Sequence, residues 1–250
     1  MLNFIPAQKH SLLFQLLSEV CDPEQIICGD NLNEYLHYNT EEVSLVLPIF
    51  DLNGQVIPKH FDFLVENKLH IHDLIQKKFN LCQLSLEPTP ETIWVDYMSY
   101  HLLEHNFEGA KLKICHNLYE ACKKATQNPK HGLICHQNFI EQLDLPVQKI
   151  YSTKQASIHI CNASQPKNIK DQTHLILNFN PNRDVNINNL LHPFYNQNIE
   201  ISHMHLRPHC NQLYLKLNTH FTQNKTRKAI YHYEQDLQHG HIEILGHNKL

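Results

Sequence analysis

Two short stretches gather the side chains that could do chemistry. The segment HMHLRPHC, residues 203–210, holds three histidines, an arginine and a cysteine within eight positions. The tripeptide Ile-Cys-His occurs twice, at 114–116 and 134–136, each time where an apolar run gives way to a helical pattern. If both ends border one cleft, Cys115, His116, Cys135 and His136 are candidates for a thiol or metal site. The plainer alternative is that the cysteines are small buried residues and the histidines polar helix starts. Histidine occurs 21 times, so a pair or triplet of histidines carries little information. The eight cysteines show no Cys-x-x-Cys spacing and read as reduced small hydrophobes in a cytoplasmic protein. No metal site is assigned, and no cofactor is expected. With only six glycines the chain has no Gly-rich loop to cradle phosphates or a dinucleotide.

These residues need elements to hold them. EVSLVLPIF (42–50), LCQLSLE (81–87), AKLKICH (110–116), HGLICH (131–136) and ASIHIC (156–161) read as strands. Residues 11–20 and 137–145 read as helices. So does the stretch after Asn117, a capping residue with Glu120 three positions on, where Leu118, Ala121, Cys122 and Ala125 share one face. Strand–helix alternation of this kind predicts an α/β layer structure. The polar run 162–171 reads as a linker. Beyond it the order is βαββαβ, a ferredoxin-like module. Its first helix carries Leu190, Leu191, Phe194 and Tyr195 inward around Pro193, and its third strand puts Leu213, Leu215 and Leu217 on one face. The apolar period slips between Ile201 and Met204, which leaves the facing of His203 and His205 open.

Composition bounds the function. The chain has 250 residues, 42% apolar and 18% charged, with a formal net charge of −4 and no basic block. That describes a globular protein and argues against nucleic acid as a partner. There is no apolar run of membrane-spanning length, and no secretory signal is expected at the start.

The second half resembles an ACT domain, in particular the one that ends prephenate dehydratases. The family writes Pro-Asn-Arg-Pro-Gly-Ala-Leu, a helix, then a strand into Glu-Ser-Arg-Pro. Here PNRDVNI (181–187) is followed by the helix and by HLRP (205–208) at the same spacing, and EILGHN resembles the closing Leu-Gly-Ser-Tyr. The first part resembles the dehydratase domain, a two-lobed α/β fold like periplasmic binding proteins. The segment EEVSLVLPIFDLNGQV is similar to the one containing Val-Pro-Ile-Glu-Asn-Ser, and LKICHNLYEACKKA to the Ser-Thr-Ala-Glu-Ala segment. The resemblance implies a dehydratase-like domain over 1–165 and an ACT domain over 170–250. It also implies a role in phenylalanine biosynthesis, a small aromatic acid or amino acid as ligand, and a homodimer or homotetramer.

The same comparison exposes departures. Turning prephenate into phenylpyruvate, water and carbon dioxide needs a donor on the departing hydroxyl and cations or donors for two carboxylates. The family supplies these from Thr-Arg-Phe; the matching positions are Ala156, Ser157 and Ile158. Ser157 would have to face the cleft in place of its neighbour, against the strand's alternation. Phe50, Asp51 and Leu52 follow Pro48-Ile49 where the family has Glu-Asn-Ser, and Asn117-Leu118 replace the Ser-Thr pair. In the ACT module Val185, Asn186 and Ile187 replace Gly-Ala-Leu, while Arg207 and Pro208 are kept. The candidates are therefore Ser157 for catalysis; Pro48, Asp51, His116, Asn117, His136 and Ala156 for the cleft; and Val185, Asn186, Ile187, Arg207 and Pro208 for a regulatory site. Two readings stand: a divergent dehydratase, or a catalytically silent relative that binds an aromatic acid or amino acid or regulates a partner enzyme. Asp51 has an alternative as a surface turn aspartate beside Asn53-Gly54.

Overall fold

A computed structural model describes all residues except 1, 10, 52–54, 104–109, 153–155, 165–171, 181–185, 236–238 and 249–250. In chain order the elements are β1 (Leu2–Ile5), α1 (Leu12–Ser18), β2 (Ile26–Cys28), β3 (Val43–Pro48), α2 (Pro58–Glu66), β4 (His70–Lys77), β5 (Asn80–Ser85), β6 (Thr92–Val95), α3 (Tyr97–Leu103), β7 (Lys111–Ile114), α4 (Leu118–Gln127), β8 (His131–His136), β9 (Val147–Ser152) and β10 (Ala156–Asn162). There follow β11 (Gln172–Phe179), α5 (Ile187–Tyr195), β12 (Ile201–Arg207), β13 (Gln212–Leu217), α6 (Asn224–Gln235) and β14 (His239–Asn248). The chain divides into two compact units, 1–63 with 75–160, and 64–74 with 161–250.

The first unit holds two layers of sheet. In one, β1 lies parallel to both β2 and β3. Every residue of β3 is buried, which is why it reads as a nearly continuous apolar run, broken only by Ser44, and not as an alternation. Leu12, Leu13, Leu16 and Leu17 of α1 join Ile5 and Val46 in its core. The other sheet has the strand order β7-β6-β8-β5-β9, with β6 parallel to β7 and β8, and β5 antiparallel to β8 and β9. The buried stripe of α4 is the expected one, Leu118, Ala121, Cys122 and Ala125, packed with Cys82, Leu133 and Cys135. The expected helix over 137–145 is instead a 3-10 turn, Gln137–Gln142. Tight winding there is enough to seat Phe139 in the core, with Leu143 and Leu145 packing beside it just after the turn.

In the second unit β12, β13, β11 and β14 are neighbours in that order and pair antiparallel throughout. The strand–helix order is the βαββαβ expected. Leu190, Leu191 and Phe194 of α5 meet Leu213, Leu215, Leu217 and Tyr233 in one core. Tyr195 does not: it is 53% exposed. At about 100° per residue it lies roughly 90° round the helix from the middle of the buried stripe. Pro193 sits inside the helix as expected. The slipped period before Met204 is a β-bulge between Ile201 and His203. After it the strand alternates, so His203, His205 and Arg207 are half-buried while Met204 and Leu206 are exposed. Gly246 of β14 stands opposite Ile71 of β4, and a Cβ on it would come within 2.5 Å of the Ile71 carbonyl oxygen. Most of the expected linker lies outside the described residues.

Candidate functional site

In the first unit a cavity of ≈ 60 Å³ opens where β1 runs into α1 and β7 runs into α4. Its lining includes Ala7, Asp30, Asp96, Tyr97, Cys115 and His116. Both flanking helices are capped by side chains. Ser11 Oγ accepts from the Phe14 N–H at 3.2 Å. Asn117 Oδ1 accepts from the N–H groups of Tyr119 and Glu120 at 2.9 and 3.3 Å. The cap expected at Asn117 is thus present, and it occupies two of the donors that an anion would otherwise use.

The cavity's far wall starts at Asp96, the last residue before α3. Its carboxylate accepts from the Ser99 N–H at 3.1 Å and from the Ser99 hydroxyl at 2.7 Å. Tyr97 follows, and its hydroxyl lies 3.0 Å from His60 Nε2. His60 is fully buried in α2, with Nδ1 2.6 Å from the carbonyl oxygen of Pro48. Burial, and next the neighbouring His101, lower His60 to about 3, so the ring is neutral at ordinary pH. A carbonyl oxygen only accepts, so Nδ1 carries the ring's proton and Nε2 is bare. Tyr97 must then donate its hydroxyl proton to His60. Burial pushes that hydroxyl up to about 12. Neither group is poised to move a proton near neutral pH.

The thiol fares no better as a nucleophile. Burial pushes Cys115 up to about 12, and the charge of Asp96 adds to the rise. Cys135 is fully buried, and its thiol is raised by burial too. It stands across the ladder from Cys82. No group of histidine, cysteine, aspartate and glutamate among the described residues has the arrangement of a metal site.

The two Ile-Cys-His segments therefore part company. Cys115 and His116 line this cavity, with Asn117 beside them. His136 lines a second one, with Glu19 and Gln137, and its Nδ1 accepts from the Asn138 N–H at 3.3 Å. Pro48 acts through its carbonyl as the anchor of His60. Asp51 is not the surface aspartate of the alternative reading: it is 8% exposed, and its Oδ1 accepts from the Gln55 N–H at 2.8 Å to close a turn. Ser157 is half-buried on β10 and is not among the residues lining either cavity, while Ile158 next to it is in the core. Ala156 begins β10, and its side chain lies outside the described part of the molecule. In the second unit Val185 lies outside the described residues. Asn186 caps α5 by accepting from the Asn188 N–H at 2.9 Å, and Ile187 packs on the core. Arg207 ends β12 and donates to Gln212 Oε1 at 2.5 Å, while Pro208 opens a 3-10 turn.

Sequence reasoning missed His60, Asp96, Tyr97 and Ser99. A signal existed for the last three: the β-rich TIWV runs into Asp-x-x-Ser, a helix-start pattern. His60 carries no such mark among 21 histidines.

Neither a protein-family model nor a curated protein sequence matches the chain. Solved structures do. The prephenate dehydratase of Staphylococcus aureus superposes with a TM-score of 0.71 at 12% identity, covering 100% of both chains. That of Arthrobacter aurescens, determined in complex with L-Phe, gives 0.71 and 12%, covering 100% of this chain and 90% of the other. GqqA, described as a novel type of quorum quenching acylase, gives 0.66 and 12%, covering 99% and 97%. At such identities the likeness shows the fold alone, a mixed α/β architecture. The particular fold within that class is the one the prephenate dehydratases share.

Proposed function

We propose that this chain is a catalytically silent relative of the prephenate dehydratases, and that the first unit binds a small aromatic acid or amino acid in its cavity without dehydrating it. One observation carries the reading. Among the described residues lining the cavity there are two carboxylates, Asp30 and Asp96, and no lysine or arginine. Dehydration of a dicarboxylate needs cations or donors at the carboxylates and a proton for the departing hydroxyl. Asp30 and Asp96, as carboxylates, cannot supply the first, and they repel a substrate carboxylate. Cys115 and Tyr97, both raised to about 12, hold their protons too tightly to supply the second readily. Ser157, the one hydroxyl left by the Thr-Arg-Phe replacement, is not in the lining.

The same reading assigns 1–165 to the dehydratase-like domain and 170–250 to an ACT-like regulatory module. The βαββαβ order and the antiparallel sheet of the second unit support it. Asn186, Ile187, Arg207 and Pro208 are the module's candidate ligand-side residues. An oligomer built on its sheets is supported by β12, an edge strand of the unit with Met204 and Leu206 exposed. The divergent-dehydratase reading is favoured by a fold match covering the whole of both chains. Against it, a similar fold is found in a protein described as an acylase, so the fold does not dictate the reaction.

Thermal melting of the full chain with prephenate, phenylpyruvate or phenylalanine tests the proposal. A ligand present at 100 times its Kd stabilises by about 2.7 kcal/mol, a shift of several degrees. Stabilisation without product is the expected result. Product formed in the same samples contradicts it.

A further inference from the structure

We infer that the second cavity of the first unit, at the end of β8, is a separate binding site for a zwitterionic amino acid with a polar side chain. It uses none of the side chains of the first cavity and does not depend on the reading of that one. His136 ends the second Ile-Cys-His segment, which the first cavity leaves without a role. The residue is 5% exposed, and its Nδ1 accepts from the Asn138 N–H at 3.3 Å. The neutral ring therefore carries its proton on Nε2, a donor with no partner among the described residues. Nε2 is not sealed off from solvent, so a molecule in the cavity can reach it. Next to it, Asn80 Nδ2 donates to Gln137 Oε1 at 2.9 Å. That bond leaves the Gln137 amide nitrogen as a donor and the Asn80 carbonyl oxygen as an acceptor. Exchanging nitrogen and oxygen in both amides leaves one of each all the same.

Two opposite charges share the same lining. Lys78, between β4 and β5, has no ion pair among the described residues. Glu19, at the C-terminal end of α1, gives Oε2 to Lys77 Nζ at 2.8 Å and keeps Oε1 as an acceptor. The charges of Glu19 and Asp96 both act on the His136 ring, which puts the ring on the negative side of the cavity. A ligand ammonium answers Glu19, a carboxylate answers Lys78, and a side-chain oxygen answers His136 and the Gln137 amide. A carboxylate without an amine meets Glu19 as a like charge, and an amine without a carboxylate meets Lys78. Asn138 adds an exposed amide, and the buried Leu16 and Phe79 supply the apolar part of the wall. The cavity measures ≈ 280 Å³, against ≈ 60 Å³ for the first. At roughly 15 Å³ for each water-sized sphere, that accommodates an amino acid with its side chain.

The test is calorimetric titration of the full chain at pH 7.5 with three matched probes: glutamine, glutaramate, which lacks its amine, and 4-aminobutanamide, which lacks its carboxylate. Glutamine should bind at least about tenfold tighter than either fragment, the worth of one charge-assisted hydrogen bond. Lys78→Gln and Glu19→Gln, both at exposed positions, place the ligand. Lys78→Gln should weaken glutamine by about fivefold or more and lift the handicap of 4-aminobutanamide. Glu19→Gln should weaken glutamine likewise and lift the handicap of glutaramate. Failure of glutamine to bind, glutamine binding no tighter than its fragments, or affinities unmoved by both substitutions each overturns the site. The reading of the first cavity is untouched by any of these results, since its own test uses prephenate, phenylpyruvate and phenylalanine.

Discussion

At the scale of single residues, the molecule's chemistry is decided by burial. His60 is the clearest case, a histidine whose ring is held neutral so that it can orient a tyrosine. Its pKa is lowered in the folded chain to about 3 from an ordinary 6.5, with His101 and Lys59 adding positive charge beside it. The unfolded chain therefore binds the extra proton first as pH falls. The stability linked to this group is fully present above about pH 6.5 and is lost progressively as pH drops toward 3, approaching about 1.4 kcal/mol per pH unit. His136, also lowered by burial, adds in the same direction. Urea unfolding between pH 7 and 5 should show this slope, and a His60→Phe chain should show a shallower one whatever its absolute stability. An unchanged slope would mean that His60 titrates normally. None of this was visible in the sequence, because 21 histidines hide the one that matters and burial is not a property of a residue type. Pro48 was selected as a cleft residue, yet it acts through its backbone oxygen, which no side-chain motif advertises.

At the scale of elements, what local patterns encode came through and what long-range contacts decide did not. The stripe and cap of α4 and the βαββαβ order follow from period and capping chemistry, which are local. Asn117→Ala should cost about 1 kcal/mol in chemical unfolding, since it frees two helix-start N–H groups. Gly246 is the opposite kind of residue. Its small size is required by Ile71, some 170 positions earlier in the chain, and nothing near it in sequence says so. A Cβ there meets the Ile71 carbonyl oxygen at 2.5 Å and its Cβ at 2.7 Å. Gly246→Ala should therefore destabilise the second unit by about 1–3 kcal/mol, the range for overpacking a close contact. Unfolding free energy unchanged within error would show that the two strands part easily. Strands β1, β2 and β6 run to only three or four residues, too few for a periodic reading to pick out. The β-bulge at Ile201/His203 explains why His203 and His205 could not be assigned to a face from sequence.

At the scale of the whole molecule, the fold is one shared with the prephenate dehydratases, and the described lining of the cavity carries carboxylates and no lysine or arginine. No helix among the described residues is long and apolar enough to cross a membrane. A dehydratase-like fold was expected from the resemblance of short segments, and the solved structures share it at only 12% identity. Of the candidate site, the strand-to-helix step that carries Cys115, His116 and Asn117 was legible, but the Asp96 and Tyr97 side of the cavity, set by packing against His60 far off in sequence, was not. The cavity is proposed to bind without dehydrating. The most direct test is incubation of the purified chain with prephenate at neutral pH, following phenylpyruvate against the spontaneous background, with a Ser157→Ala chain alongside. Product at the background rate is expected in both. Product well above background that disappears in the Ser157→Ala chain would contradict it, and would make Ser157 the donor of a working dehydratase.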